Sequence, residues 1–207
     1  MTKPANDVIF VIGGFVMKKV LVLLAEGFEE IEAITPIDYL RRAGVEVTTV
    51  AVGNDLTVKS SHGIQLSADT CLKSVLEKGS SAWDGVVVPG GLPGTDNIAA
   101  SKEAGNLVKE MSTAGKLVSA ICAAPARVLS PLGLLAGKKF TCYPGEEKKV
   151  LSAGINAEWK EDRVVVDGNL ITSRGPGTAG EFACAIIDKL LGDGEGKKIA
   201  NMVLLTP

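Results

Sequence analysis

Four short strand-like runs, each closing on a turn, leave few folds open to this chain. Residues 20–24 (VLVLL) end at Ala25-Glu26-Gly27-Phe28, and residues 45–52 run into a polar, turn-rich segment. Residues 85–88 (GVVV) end at Pro89-Gly90-Gly91-Leu92-Pro93-Gly94, and residues 117–120 (LVSA) end at Ile121-Cys122. The runs at 20–24 and 85–88 carry no polar alternation, the mark of parallel strands buried on both faces. Helical patterns lie between them, at residues 30–43 (Ile31, Ile34, Ile37 and Leu40 at helical spacing, stopped by Gly44), 95–100 and 102–114. A strand–helix–strand unit of this length favours a right-handed parallel crossover.

The rest extends the same alternation. Residues 57–59 and 64–66 read as a small hairpin around Ser61-His62-Gly63, with a short helix over 72–77. A strand is expected over 137–143, a helix over 146–151, strands at Trp159, 164–166 and 170–172, and a long helix over 178–191. The class is α/β, an open sheet with helices on both faces. Ligands bind such sheets beyond the carboxyl ends of the strands, where the turns at 25–32, 89–94, 121–124, 143–145 and 173–178 can converge. The first turn lacks GxGxxG, which removes the dinucleotide fingerprint.

A length of 207 residues suits one domain, expected over 17–207. Residues 1–16 are read as an upstream extension, with Met17 the natural start. A net charge of −2 gives no reason to expect a nucleic-acid partner, and no apolar run is long enough to span a bilayer. Cys71, Cys122, Cys142 and Cys184 lie far apart with no CxxC pair, so neither a metal site nor a disulfide scaffold is expected. A reducing cytoplasm is the simplest compartment.

Cys122 stands where the fourth run switches towards a helix opening on Ala123-Ala124-Pro125. A helix N-terminus favours thiolate, lowering an ordinary cysteine pKa of about 8.5 to roughly 3.5–7.5. A buried cysteine used as a small hydrophobe fits the same stretch. Gly90 and Gly91 let backbone N–H groups approach a ligand, or form a plain loop. Glu29, Glu30 and Glu32 crowd the start of the first helix, where acidic residues complement its dipole. Glu29 and Glu32 can share a face, and Glu32, turned to the sheet edge, can meet Cys122. A carboxyl buried against a thiolate tends to be protonated and can serve as general acid and base. His62, the one histidine, reads as an exposed loop residue.

The segments LLAEGFEEIEAITPIDYLRRAG, VVVPGG, SAICAAPARVL and LITSRGPGTAGEFACAII together resemble the ThiJ/PfpI superfamily, and within it the parkinsonism-associated deglycase branch. The resemblance implies a flavodoxin-like fold and a cofactor-free, cysteine-dependent glyoxalase or deglycase. Its substrates would be methylglyoxal, glyoxal or their early glycation adducts, with a role in oxidative and carbonyl stress. It makes Cys122 the nucleophile on a strained elbow and Glu32 the carboxyl bonded to it. Gly91 and Ala123 would supply backbone N–H groups to an oxyanion or an oxidised sulfur. Gly90, Tyr143, Arg174 and Pro176 would line the pocket. A homodimer is implied, with Arg42 at a dimer contact and His62 in a loop that can approach Glu29 across the interface. The alternative is a redox sensor or chaperone whose cysteine is oxidised to sulfinic acid. Tyr143 stands where many relatives have a histidine, so proton handling falls to Glu32. Cys142, beside Tyr143, is expected to pack in the core or at an edge.

Overall fold

The computed structural model describes residues 17–205, and the expected extension over residues 1–16 lies outside the described residues. In chain order the elements are β1 (Lys19–Leu24), α1 (Glu30–Arg42), β2 (Glu46–Ala51), β3 (Thr57–Lys59), β4 (Gln65–Ser67), β5 (Thr70–Cys71) and α2 (Leu72–Lys78). Then come β6 (Gly85–Val88), α3 (Gly94–Ala100), α4 (Lys102–Thr113), β7 (Leu117–Ile121), β8 (Lys139–Phe140) and α5 (Glu147–Ser152). The last are β9 (Glu158–Trp159), β10 (Val164–Asp167), β11 (Leu170–Ser173), α6 (Ala179–Leu191) and α7 (Glu195–Met202).

Seven strands form one sheet in the order β10-β11-β7-β6-β1-β2-β5. Every neighbouring pair is parallel except β10 with β11. The chain travels outward from β1 to β5 on one side, then returns to β6 on the other. The order therefore reverses between β1 and β6, which is where such sheets open a ligand crevice.

The core follows from the pleat. Along β1, Leu21 and Leu23 face the layer holding Leu107, Met111 and Leu129. Val20, Val22 and Leu24 face the layer holding Leu40, Phe182 and Ile186. Burying each such side chain contributes about 1.5–3 kcal/mol, which is why the run carries no polar residue. On α1 the inward stripe is Ala33, Pro36, Ile37 and Leu40, whereas Ile31 and Ile34 point outward, 51% and 39% exposed.

The structure corrects the sequence reading after Cys122. The segment over 137–143 is not a strand of the main sheet. Only β8 is regular, and it pairs in parallel with β9 in a separate two-stranded sheet. Both edges of β11 are already taken by β7 and β10. The extended chain instead lies against β11 through one side chain, with Thr141 N–H donating to Thr172 Oγ1 at 2.9 Å. α7 had no counterpart in the sequence reading.

Candidate active site

β7 delivers Cys122 to the carboxyl edge of the sheet. Its φ of 66° lies in the left-handed region, which costs a non-glycine residue about 1–3 kcal/mol. The end of β11 and the turn at Tyr143 hold it there. Cys122 N–H donates to the Ser173 carbonyl at 3.0 Å, and Tyr143 N–H donates to the Cys122 carbonyl at 2.8 Å. The expected helix is a single π turn over Pro125–Leu129. A five-residue turn carries little of a helix macrodipole.

Glu32 comes from the first turn of α1 and is fully buried. Its Oε2 accepts the Gly90 N–H at 2.9 Å. Its Oε1 is buried with no nitrogen or oxygen partner. The Cys122 thiol is the neighbouring side chain that favours the charged carboxyl. Burial, reinforced by the nearby Glu29 charge, pushes the Glu32 pKa up from its ordinary 4.5 to about 8. Glu32 is therefore neutral at pH 7.

The thiol does not follow the expectation of a lowered pKa. Burial pushes Cys122 up, and a charged Glu32 adds to the effect through repulsion and by accepting the thiol proton. The N–H groups of Ala123 and Gly91 pull the other way. The two Glu32 contributions exist only when Glu32 has lost its proton. The sulfur and the carboxyl are therefore coupled, and the proton affinity of each depends on whether the other is charged.

The glycine turn after β6 closes the site. A Cβ on Gly90 would overlap Glu32 Oε2 and lie 2.6 Å from Cys122 Cβ and 3.1 Å from Sγ. Gly91, at φ 94°, has no room for a Cβ against the Glu29 amide and the Gly27 carbonyl. Its carbonyl accepts both the N–H and the hydroxyl of Thr95, each at 3.0 Å.

Three residues expected at a dimer contact have partners inside the chain. Glu29 is the N-cap of α1, its Oε2 accepting the Glu32 N–H at 2.7 Å. His62 is an exposed loop residue, and its Nδ1 lies 3.0 Å from Glu30 Oε2 rather than on Glu29. Arg42 Nε donates to Asp38 Oδ2 at 2.7 Å. Glu29, Glu30 and His62 bring one ligand-type atom each within 4.8 Å of one another. The cap on Glu32 and the Ser61 and His62 contacts of Glu30 account for the bonding of those carboxylates.

Arg174 and Pro176 line an open cleft of about 380 Å³ with Tyr143, Pro144 and Arg163. The cleft meets the cysteine site at Gly175, where a Cβ would lie 3.4 Å from the Tyr143 ring and 3.9 Å from Glu32 Oε1. Tyr143 is half-exposed, and Arg174 Nη1 donates to the Glu161 carbonyl at 2.8 Å. Cys142 is buried in the core, its thiol pushed up to about 12 by burial and then by Glu147 and Glu146. All four cysteines are free. Arg127, the one charged residue in the turn after Cys122, had no role in the sequence reading; its partners are remote in sequence, and no local spacing announces them.

A sheet crevice with a strained cysteine on one wall and a buried acid on the other defines a cysteine-centred, flavodoxin-like α/β protein. Residues 18–189 match the DJ-1/PfpI family, and the chain belongs to it. It is 40% identical over 190 residues to protein DJ-1 homolog B of Arabidopsis thaliana, covering 92% of this chain and 42% of that protein. The chain thus spans under half the length of that relative. It is 37% identical to the glutathione-independent glyoxalase DJR-1.2 of Caenorhabditis elegans, covering 90% of this chain and 94% of that protein. The structure of oxidised Toxoplasma gondii DJ-1 superposes with a TM-score of 0.85 at 38% identity, over 92% of this chain and all of that one.

Proposed function

We propose that the chain is a cofactor-independent glyoxalase and protein deglycase acting on methylglyoxal, glyoxal or their early glycation adducts. The observation that carries this reading is a buried Glu32 carboxyl that stays neutral up to about pH 8 beside Cys122. In the reactive state the thiol has released its proton to solvent, Glu32 keeps its own, and the sulfur is a thiolate. The thiolate adds to the aldehyde carbon, and the Gly91 and Ala123 amides stabilise the oxyanion. Glu32 gives its proton to that oxygen, forming a hemithioacetal. As a carboxylate, Glu32 then removes the C1 proton and returns it at C2. C1 is thereby oxidised and C2 reduced, leaving a 2-hydroxyacyl thioester. Water splits the C–S bond, restoring the thiol and releasing lactate from methylglyoxal or glycolate from glyoxal. Glycation adducts enter at the first step, the sulfur displacing the amine or thiol from the aminocarbinol or hemithioacetal carbon.

The glyoxalase name of the nematode relative supports this reading. No helix among the described residues is long and apolar enough to cross a membrane, which suits a cytoplasmic stress-protection enzyme. The outward Ile31 and Ile34 of α1 suit a homodimer. The test is lactate formation from methylglyoxal. Cys122→Ser should form none, and equal rates in wild type and variant would overturn the reading.

A second reading rests on the orphaned Oε1 of Glu32. A neutral carboxyl and two amides aimed at one sulfur also suit a sulfinate, as a redox sensor or chaperone would need.

A further inference from the structure

Arg127 lies five residues beyond Cys122, in the π turn whose other side chains are all buried. Its guanidinium leaves the core and spends every edge. Nε and Nη2 donate to the two carboxylate oxygens of Glu146, each at 3.0 Å. Nη1 donates to Asp96 at 2.9 Å and 3.2 Å. Lys149 Nζ completes the cluster on Glu146 at 2.8 Å and 2.9 Å. Burial alone would raise the Glu146 pKa, but the hydrogen bonds from Arg127 and Lys149 outweigh it and hold the carboxyl charged.

Both anchors belong to walls of the cysteine site. Asp96 is in the first turn of α3, beside Thr95, which holds the Gly91 carbonyl with two hydrogen bonds. Glu146 N–H donates to the Tyr143 carbonyl at 3.0 Å, and Tyr143 N–H donates to the Cys122 carbonyl. The glycine turn, the elbow and the Tyr143 turn come from three distant parts of the chain. Arg127 is the side chain that touches the anchors of the first and third from its seat on the second.

We propose that Arg127 is a positioning residue for Cys122. It ties the glycine turn and the Tyr143 turn to the elbow and so fixes where the Gly91 amide stands relative to the sulfur. A planar fork suits this task, because it fixes the orientation of two carboxylates at once, which a lysine ammonium cannot do. A solvent-facing ion cluster that only adds stability would leave the chemistry at the sulfur unchanged.

The inference rests on the proposed turnover only for its kinetic readout, so the test carries two readouts. The first is kcat and KM for methylglyoxal. The second is the rate of Cys122 alkylation by iodoacetamide across pH, which needs no turnover. Arg127→Met should lower kcat about tenfold with a smaller change in KM, and should shift the alkylation profile. Arg127→Lys should recover part of the loss. Asp96→Asn and Glu146→Gln should each reproduce part of it, adding little on top of Arg127→Met. They also serve should Arg127→Met fail to fold. Folded variants with wild-type kcat and an unchanged alkylation profile would overturn the inference. A wild type without turnover, whose alkylation still responds to Arg127→Met, would sink the proposed reaction and leave the positioning role standing. If neither readout moves in a wild type without turnover, both are wrong.

Discussion

Glu32 and Gly90 meet through one hydrogen bond, Gly90 N–H to Glu32 Oε2 at 2.9 Å, with no room between them for another carbon. The glycine is required by the site rather than by its own backbone, since Gly90 does not adopt a positive φ. Gly90→Ala should part Glu32 from Cys122 and lower kcat/KM by about 100-fold, the scale of a 1 Å misplacement. Overpacking should also cost about 1–3 kcal/mol in urea unfolding. Gly44 provides the contrast, with φ 81° and nothing within 4 Å of an added Cβ. Gly44→Ala should cost about 1 kcal/mol of backbone strain and leave kcat/KM alone.

The neutral Glu32 makes stability depend on pH in a defined direction. Its pKa is near 8 when folded and about 4.5 when unfolded, so between those values the folded state binds the extra proton. Its contribution is present below pH 4.5 and is lost as pH rises through about 8. At about 1.4 kcal/mol per tenfold in proton affinity, the whole interval corresponds to about 5 kcal/mol. Glu32→Gln removes the effect. The unfolding free energy of Glu32→Gln minus that of wild type should therefore increase from pH 4.5 to pH 8, as followed by urea titration. A flat difference would mean that Glu32 is ionised in the fold.

The parts of this site legible in the sequence were those written as local chemistry. The all-apolar β1 and β6 announced a parallel sheet, and small residues around Cys122 announced an elbow. Glu32 was legible because a strand–helix unit returns the start of its helix to the sheet edge. Other features depended on competition between distant segments. Phe140 and Cys142 alternate as in a strand, but nothing local says that β10 already occupies the free edge of β11. Ile31 and Ile34 share the spacing of core residues, yet α1 buries Ala33 and Pro36 instead. The direction of the Cys122 shift was misread because a helix terminus was expected where burial dominates. α7 follows Gly192 and Gly194 and buries one large apolar side chain, Ile199, which is little to mark a helix by.

Oxidation should separate Cys122 from Cys71 and Cys142. Cys142 is buried in the core while Cys122 is partly exposed, so Cys142 should stay reduced under mild peroxide. Cys71 is the competitor, because the Ser74 hydroxyl and amide lower its pKa. The Ser74 and Lys73 amides reach Cys71, but no buried carboxyl stands beside it, so it should stop at reversible products. Cys122 should accumulate two added oxygens, held by the Gly91 and Ala123 N–H groups and by a protonated Glu32. Peptide mass spectrometry should find this sulfinate in wild type and much less of it in Glu32→Ala. Equal double oxidation of Cys71 and Cys122 would show that the site is not tuned for it.

The single histidine offers the cleanest electrostatic measurement, because its imidazole C2–H gives one resonance without assignment. His62 is raised above the ordinary 6.5, first by its hydrogen bond to Glu30 and then by that residue's charge. Burial opposes ionisation of Glu30, but the His62 hydrogen bond and those of its neighbours outweigh it, leaving its pKa lowered. The His62 contribution to stability is present below pH 6.5 and is lost as pH rises through its folded value. That of Glu30 is present above pH 4.5 and is lost as pH falls through its folded value. The ion pair is therefore complete between those limits. His62→Gln should destabilise at pH 5.5, match wild type at pH 8.5, and leave kcat/KM at pH 8 unchanged. In a proton NMR titration the His62 midpoint should exceed 6.5, and Glu30→Gln should bring it back to about 6.5. Glu29 adds a smaller charge effect, so Glu29→Gln should move the midpoint less. A midpoint that instead followed Glu29→Gln would assign His62 to Glu29 rather than to Glu30.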